Sequence, residues 1–532
     1  MDVKELERQF SYRQLLGYNS KLKSDLLILR HDYNILVKYQ EGIIEKEVKI
    51  RTKRLTDEIE NIKNKHISEI CEKDSQIEVL KKEVARLTSV LSNDASNSGI
   101  PTSKTMIGHR KYIPNSREKT DKKIGGQLGH KKHKLNKFND DEITETVVVS
   151  PKTCPKCNSK NIKELETFKS KDETDYDVKV IKRRYKFNDC TCKDCNNYFH
   201  VPIPNELKEE NQYGTTVQSL AVCLNNEIYT PFNKVVKLIS GITNNEINIS
   251  EGYIAKLQKM ASENLEAFVN QAREYFPKQE CYGWDDGVID VNTQDATLRI
   301  YCTDTVSLFF AHEKRNKETI DEDGILSATT HNTTVMHDHY LYNYNDKFNY
   351  KNVECLSHIL RRLKKMKNDT KHDWCDKLKK FLSDINYDRN KLLDENKEKF
   401  EKSYLEKISN EYDEIINKGY AEKDDIENYF KDEELTLLKD LKKYKKNYLL
   451  WCYNFKLPST NNNCERNIRP VKSKMKISGH FKNITNARYY ATIRSYIETC
   501  KRNGINIIDA CARLMSDNPY SLDEILSYQK ND

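Results

Sequence analysis

Glu465 is one carboxylate set in a run of asparagines and cations, Thr460-Asn461-Asn462-Asn463-Cys464-Glu465-Arg466-Asn467-Ile468-Arg469-Pro470-Val471-Lys472. An acid in such a place suits a divalent-metal ligand where phosphates arrive, with Arg466, Arg469 and Lys472 neutralising a nucleic-acid backbone. Read from these residues alone, a solvated helix start serves as well. Asn462 or Asn463 would then be the N-cap, and Glu465 would sit in the first turn, where the helix dipole favours an acid.

Phosphodiester chemistry with two metals needs carboxylates gathered from distant parts of a chain, and hard Mg²⁺ or Mn²⁺ prefers oxygen ligands. An RNase H-like arrangement takes one Asp from a first strand, a second from a later strand end and a third acid from a helix. The chain offers Asp285 in the strand-like run Cys281-Tyr282-Gly283-Trp284-Asp285-Asp286-Gly287, Asp338 after Thr333-Thr334-Val335-Met336, and Glu465. Asp286 is placed to share the metal. Asp290, Asp295 and Asp304 compete in the same region, because an Asp at a strand end is often only a turn former.

A second chemistry is signalled by Cys154-Pro155-Lys156-Cys157 and Cys192-Lys193-Asp194-Cys195, with 34 residues between them. Two such pairs can set four thiolates tetrahedrally around Zn²⁺, as in a zinc ribbon. A redox dithiol needs only one pair. Most of the 15 cysteines are scattered singly, which excludes a secreted disulfide framework. Cys190 is a bystander or a substitute ligand. Val178 to Tyr185 alternates in part like a strand, and Lys179, Lys182, Arg183 and Arg184 make the ribbon basic, for DNA contact or as plain surface.

These groups need a scaffold. At 532 residues the chain exceeds one domain, and 32% charged against 37% hydrophobic residues implies much exposed helix. The net charge is +8, unevenly spread. Neither a signal pattern nor a long apolar run is present in the sequence, so a soluble, cytoplasmic protein without membrane contact is expected. Residues 1–92 read as a coiled coil, with Ile77, Leu80, Val84, Leu87 and Leu91 forming the clearest seam and Leu55, Ile59 and Ile62 extending it. The expected role is self-association. Residues 93–140 form a basic arm: 11 Lys or Arg face two acids between Lys104 and Lys137. A zinc ribbon follows over 141–205, then helices over 206–275 with turns at Ser240-Gly241 and Asn244 to Ser250. Strands are expected over Glu280–Val291, Ala296–Ala311 and 331–339, within a first core segment of 276–350. A charged helical insertion covers 351–456, and the second core segment with C-terminal helices covers 457–532. The fold class is therefore multidomain α+β: coiled coil, zinc ribbon and an RNase H-like core interrupted by helices.

Several of these runs together resemble the insertion-sequence-66 family of bacterial transposases. Asn461, Asn462, Glu465, Arg466, Arg469 and Pro470 lie in or beside its Asn-Asn-x-x-Glu-Arg-x-x-Arg-Pro element. Gly125-Gly126-Gln127-Leu128-Gly129-His130 is similar to its Gly-Gly-Gln-x-Gly-His element. Trp284-Asp285-Asp286-Gly287 takes the place of its Ala-Asp-Glu-Thr-like strand, departing at Asp286 and Gly287. Asp338, Tyr340 and a displaced Tyr342 or Tyr344 match its second acidic element. Cys355, His358, Arg361 and Arg362 match a Cys-x-x-His-x-x-Arg-Arg element, and Glu498-Thr499 with Asn503-Gly504 match its closing one.

The resemblance implies a DDE transposase with Asp285, Asp338 and Glu465 as catalytic acids on Mg²⁺ or Mn²⁺. It would cleave at transposon ends and join the freed 3′-hydroxyl to target DNA. Arg466, Arg469, Lys472, Arg183, Arg184, His358, Arg361 and Arg362 are the expected DNA contacts. A homo-oligomer, with accessory proteins from the same element, is the expected assembly. Two rivals are a non-catalytic DNA-binding protein with a decayed core and an RNase H-like nuclease without a transposition role.

Overall fold

The computed structural model describes residues 15–50, 57–93, 137–165, 169–204, 207, 209–424 and 428–528, without the side chains of 15–21, 42–50 and 57–69. The basic arm up to residue 136, with its Gly125–His130 hexad, the seam position Leu55 and the side chains of Ile59 and Ile62 lie outside that description. The chain forms two compact units, Met1–Tyr112 with Lys208–Pro231 and Ile254–Asp532, and Ile113–Leu207 with Phe232–Tyr253. No helix among the described residues is long and apolar enough to cross a membrane.

Two long helices come first, α1 (Leu15–Ile50) and α2 (Asp57–Leu91). The expected seam runs along α2, where Ile77, Val84 and Leu91 are 41%, 49% and 58% exposed. Near the C-terminal end of α2, Ser89 hydrogen-bonds Asp369.

The smaller unit carries both cysteine pairs. β1 (Asp189–Thr191) and β2 (Tyr198–His200) form an antiparallel hairpin around the second pair. The strand expected over Val178–Tyr185 does not form; Ile181 and Tyr185 are exposed, so no packed surface rewards an extended pairing there.

Helices α3 (Thr215–Asn226), α4 (Phe232–Ile242), α5 (Glu251–Glu263) and α6 (Glu266–Tyr275) follow. Ser240-Gly241, expected as a turn, lies inside α4, while the Ser250 hydroxyl accepts from Tyr253 N–H and starts α5 as its type suggests.

The five-stranded sheet consists of β3 (Cys281–Val291), β4 (Gln294–Cys302), β5 (Ser307–His312), β6 (Thr334–His337) and β7 (Lys351–Glu354), in the order β5-β4-β3-β6-β7. β3, β4 and β5 are antiparallel neighbours, whereas β6 and β7 run parallel to β3. Asn292 and Thr293 both adopt positive φ, +50° and +66°, giving the tight primed turn that matches strand twist. Between β5 and β6 lie two short helices, α7 (Lys317–Asp323) and α8 (Ile325–Ala328).

β7 is a correction. The reading from sequence starts the helical insertion at residue 351, but the strand occupies that position and α9 (Leu356–Thr370) begins after it. The insertion continues as α10 (Asp373–Asp394), α11 (Lys402–Glu422), α12 (Lys431–Lys443) and α13 (Lys445–Tyr453). Its core of Leu363, Trp374, Leu378, Tyr412, Leu438 and Trp451 is continuous with Met336 of β6 and Val353 of β7, so it extends the sheet's edge.

The chain then returns to the sheet through α14 (Asn462–Ser478), α15 (Ile484–Arg502), α16 (Ile507–Met515) and α17 (Leu522–Leu526). Cys464, Ile468 and Val471 of α14 and Ala487, Tyr490 and Ala491 of α15 pack on Ile289, Leu298, Ile300 and Phe309. Two glycines let α14 approach: a Cβ at Gly283 would collide with the Asn461 side chain, and one at Gly287 would press Ile468 Cγ2 at 3.2 Å. Gly283→Ala is therefore expected to destabilise the protein by about 1–3 kcal/mol through overpacking. Denaturant melts compared with wild type would read this, and an unchanged midpoint would refute the close approach.

Candidate active site

Side chains alternate along β3, so Gly283, Asp285 and Gly287 share the face covered by α14, while Trp284 and Asp286 face the other way. The parallel register pairs Gly283 with Met336. Continued by two residues, it sets Asp285 across from Asp338, which follows β6 directly. Glu465 arrives in the first turn of α14, its N–H donating to Asn461 O at 3.1 Å.

Asp285 feels the other two acids, although the three carboxylates do not lie within 4.8 Å of one another as a set. Burial pushes the Asp285 carboxyl up to about 8, and the charge of Asp338, with a smaller share from Glu465, pushes the same way; the Asp286 N–H, 2.8 Å from Asp285 Oδ1, opposes it. Arg361 donates to Glu465 at 3.0 Å, and His358 Nδ1 lies 3.8 Å from the same oxygen. Burial, then the neighbouring Arg361 charge, hold the His358 imidazole below its usual range, while Asp338 and Glu465 pull it up.

Asp286 does not join them. Its carboxylate is buried against Arg299 at 3.0 Å and also accepts from Arg315 at 3.2 Å. Arg299 in turn donates to Asp323, which also accepts from Tyr301 and meets His312. Of the competing acids, Asp304 accepts from Asn463 in the loop joining β4 and β5.

Asn461 is the residue that the sequence reading undervalued. The N-cap of α14 is Asn461, not Asn462 or Asn463, and its side chain makes no cap bond. It donates instead to Trp284 O at 2.8 Å, while its N–H donates to Cys355 Sγ at 3.2 Å. One buried residue thus ties β3, the entry to α9 and the start of α14 together. Its place in an asparagine run was the available signal, but capping was the more ordinary explanation.

The expected DNA contacts divide. Arg466 and Arg469 are exposed on α14 and, among the described residues, make no ion pair, with Lys472 half-buried one turn on. Arg183 and Arg184 are exposed in the smaller unit. Arg361 is engaged with Glu465, and Arg362 with Asp440 at 3.1 Å and with the Tyr448 hydroxyl.

The two cysteine pairs share one backbone design. Cys154 N–H donates to Ser159 O and Asn158 N–H to Cys154 O, with Asn158 at φ +56°; Cys192, Asn197 and Asn196 (φ +54°) repeat this. Backbone N–H groups of Cys157 and Lys156 lower the Cys154 thiol, and those of Cys195 and Asp194 lower Cys192. The four sulfurs do not gather within 4.8 Å of one another as a set; among the described residues that closeness belongs to Cys355, His358 and Glu465. Cys190 lies on β1, outside both loops.

The sequence profile described as Transposase IS66 family matches residues 210–489. The chain belongs to that family. It is a DDE transposase, an enzyme class that acts on DNA with divalent metal ions. The matched region takes in the whole sheet, the helical insertion and the Glu465 helix. No curated protein matches the chain.

The electrostatics of the transposase give a signed expectation. An Asp in the unfolded chain ionises near pH about 4, whereas Asp285 in the fold holds its proton to about 8. Between those values the folded state binds more protons, so this group's contribution is full below about pH 4 and is lost as pH rises through 8. Asp285→Asn keeps the shape and cannot ionise. In chelator, the wild-type melting temperature should fall from mildly acidic to mildly alkaline pH more steeply than the variant's, on the scale of about 2–4 °C per kcal/mol for a large domain. Parallel slopes would show that the repulsion is absent.

Proposed function

We propose that Asp285, Asp338 and Glu465 together hold two Mg²⁺ or Mn²⁺ ions and form the catalytic centre of this transposase. The observation that carries the reading is the raised proton affinity of Asp285, to which Asp338 and Glu465 both contribute. Three acids from three chain segments repel one another there, with Arg361 the one arginine paired to any of them among the described residues. An all-oxygen donor set of this kind fits hard cations. Ions bound by it would activate the attacking oxygen and stabilise the leaving oxygen of a phosphodiester.

The remaining roles fall to the chain's own residues. Arg466, Arg469 and Lys472 lie along α14 beyond Glu465 and bind backbone phosphates of the transposon end. Arg361 holds Glu465 in place through its hydrogen bond, and Arg362 fixes α9 to the insertion through Asp440. Hydrolysis at the transposon end frees a 3′-hydroxyl, which then attacks target DNA at the same acids, so no protein–DNA covalent bond is needed. The sheet order, with its antiparallel three-strand half and parallel two-strand half, supports an RNase H-like core interrupted by the α9–α13 insertion. The intact trio argues against a decayed core.

The smaller unit is read as a zinc ribbon. The matched loops at Cys154–Cys157 and Cys192–Cys195, each aiming backbone N–H groups at a sulfur, support Zn²⁺ bound by these four thiolates, with Arg183 and Arg184 beside it for DNA. The exposed seam of α2 supports self-association of the transposase, which must bring two transposon ends together.

Ala at Asp285, Asp338 or Glu465 should abolish end cleavage and strand transfer in Mg²⁺ or Mn²⁺ while leaving end binding nearly intact. Retained cleavage in any one of the three would remove that residue from the site. For the other modules, elemental analysis should find one zinc per chain fewer in Cys154→Ser with Cys192→Ser than in wild type. Light scattering should show a smaller assembly once residues 1–92 are deleted. Equal zinc content in the double variant and wild type would refute the ribbon, and an unchanged mass ratio would refute the seam.

A further inference from the structure

Cys355 ends the link between β7 and α9, His358 lies one helical turn on, and Glu465 approaches from the start of α14. A sulfur, a ring nitrogen and a carboxylate oxygen from these three lie within 4.8 Å of one another. Ligand atoms around a tetrahedral Zn²⁺ are roughly 3.3–3.8 Å apart, given bonds of about 2.0–2.3 Å. The His358 Nδ1 to Glu465 Oε1 distance is already 3.8 Å. His358 Nδ1 is shut off from solvent and has no hydrogen-bond partner, which is costly for a polar atom unless something else occupies its lone pair.

We propose that Cys355, His358 and Glu465 form a second cation site, selective for a thiophilic divalent ion of the Zn²⁺ class, which withdraws Glu465 from the catalytic acids when filled. The withdrawal rests on the reading of Glu465 as a catalytic acid; the site itself rests on the geometry.

The donor set decides the selectivity. Mg²⁺ prefers carboxylate and water oxygens and gains little from a thiol, whereas Zn²⁺ takes sulfur, imidazole and carboxylate together. Asp285 and Asp338 offer only oxygen, while Cys355 and His358 offer only sulfur and nitrogen, so Glu465 is the shared ligand. On binding, the Cys355 thiol releases its proton to solvent. The resulting thiolate and the Glu465 carboxylate balance the two positive charges. The Asn461 N–H already points at Cys355 Sγ at 3.2 Å and would stay there, steadying the thiolate from outside the ligand set. The ion would take over the charge that Arg361 now supplies to Glu465 at 3.0 Å. Soft and hard cations would then compete for one carboxylate, making the transposase sensitive to the zinc level.

Co²⁺ serves as the spectroscopic probe for the Zn²⁺ class. The full chain, freed of zinc by chelation and returned to excess Mg²⁺, is titrated with Co²⁺ and followed by its thiolate-to-cobalt absorption. Wild type should develop a band that Cys355→Ser lacks, and His358→Ala should weaken binding by about 10-fold or more. Both chains carry the same five thiols in the smaller unit, so the difference spectrum reports Cys355. Serine keeps an acceptor for Asn461 N–H, and near-ultraviolet circular dichroism confirms the fold; Cys355→Ala provides a second variant. Identical spectra in wild type and a folded Cys355 variant would overturn the site. In end-cleavage assays, added Zn²⁺ should inhibit wild type at concentrations about 10-fold or more below those needed for Cys355→Ser, each relative to its own uninhibited rate. Equal inhibition would overturn the withdrawal. Cleavage by Glu465→Gln would instead sink the catalytic reading of Glu465, a result independent of the cobalt spectrum.

Discussion

The architecture depends on α14 lying directly against β3. Three carboxylates repel one another when drawn together, so the packing of the elements that carry them must supply the opposing free energy. Here it comes from Cys464, Ile468 and Val471, buried against β3, β4 and β5. Each large apolar side chain contributes on the order of 1.5–3 kcal/mol when fully buried. The approach is possible only because Gly283 and Gly287 leave the strand bare on either side of Asp285. Asn461 then fixes the register, with one bond to Trp284 O and another to Cys355 Sγ. A side chain at Gly283 would collide with Asn461, and one at Gly287 would crowd Ile468.

The opposite face of β3 serves a different purpose. Asp285 and Asp286 are neighbours in sequence but point to opposite faces, so one belongs to the acid cluster and the other to the scaffold. Asp286, Arg299 and Asp323 form a buried chain of charges, with His312 and Tyr301 completing its hydrogen bonds. Such a network adds little net stability over apolar packing, but breaking one member leaves an uncompensated charge inside the protein. Its effect is to hold β3 and β4 in a single register, and that register decides which of the two aspartates faces α14. The loop bearing Arg315 reaches the same carboxylate, tying the β5–α7 connection to the strand.

What was legible in the sequence follows from how local each signal is. Asp285 inside a strand, Asp338 directly after one and Glu465 in the first turn of a helix could be picked out because each has a recognisable pattern around it. The β3–β4 pair was visible in its β-branched and aromatic residues. β7 was not, because Lys351-Asn352-Val353-Glu354 has one strongly β-forming residue and owes its state to the edge of β6. Val178–Tyr185 failed in the opposite direction, with alternation but no surface to pair against. The glycines could not be read as a helix seat, since what they accommodate lies far along the chain. Asn461 was passed over because capping, the local reading, went to Asn462 or Asn463, whereas its actual partners, Trp284 and Cys355, are brought to it only by the fold. Arg361 and Arg362 looked like solvent-facing phosphate ligands for the same reason.

Arg361 shows how the site bears its charge. Glu465 sits in the first turn of α14, where the helix dipole favours an anion, and Arg361 from α9 supplies a full positive charge beside it. Asp285 has no such partner and keeps its proton instead. The acids are thus neutralised by two devices, a guanidinium on one and a proton on another. The first requires α9 and α14 to meet at Glu465, and that meeting depends on Asn461, which ties the beginnings of both helices to the strand.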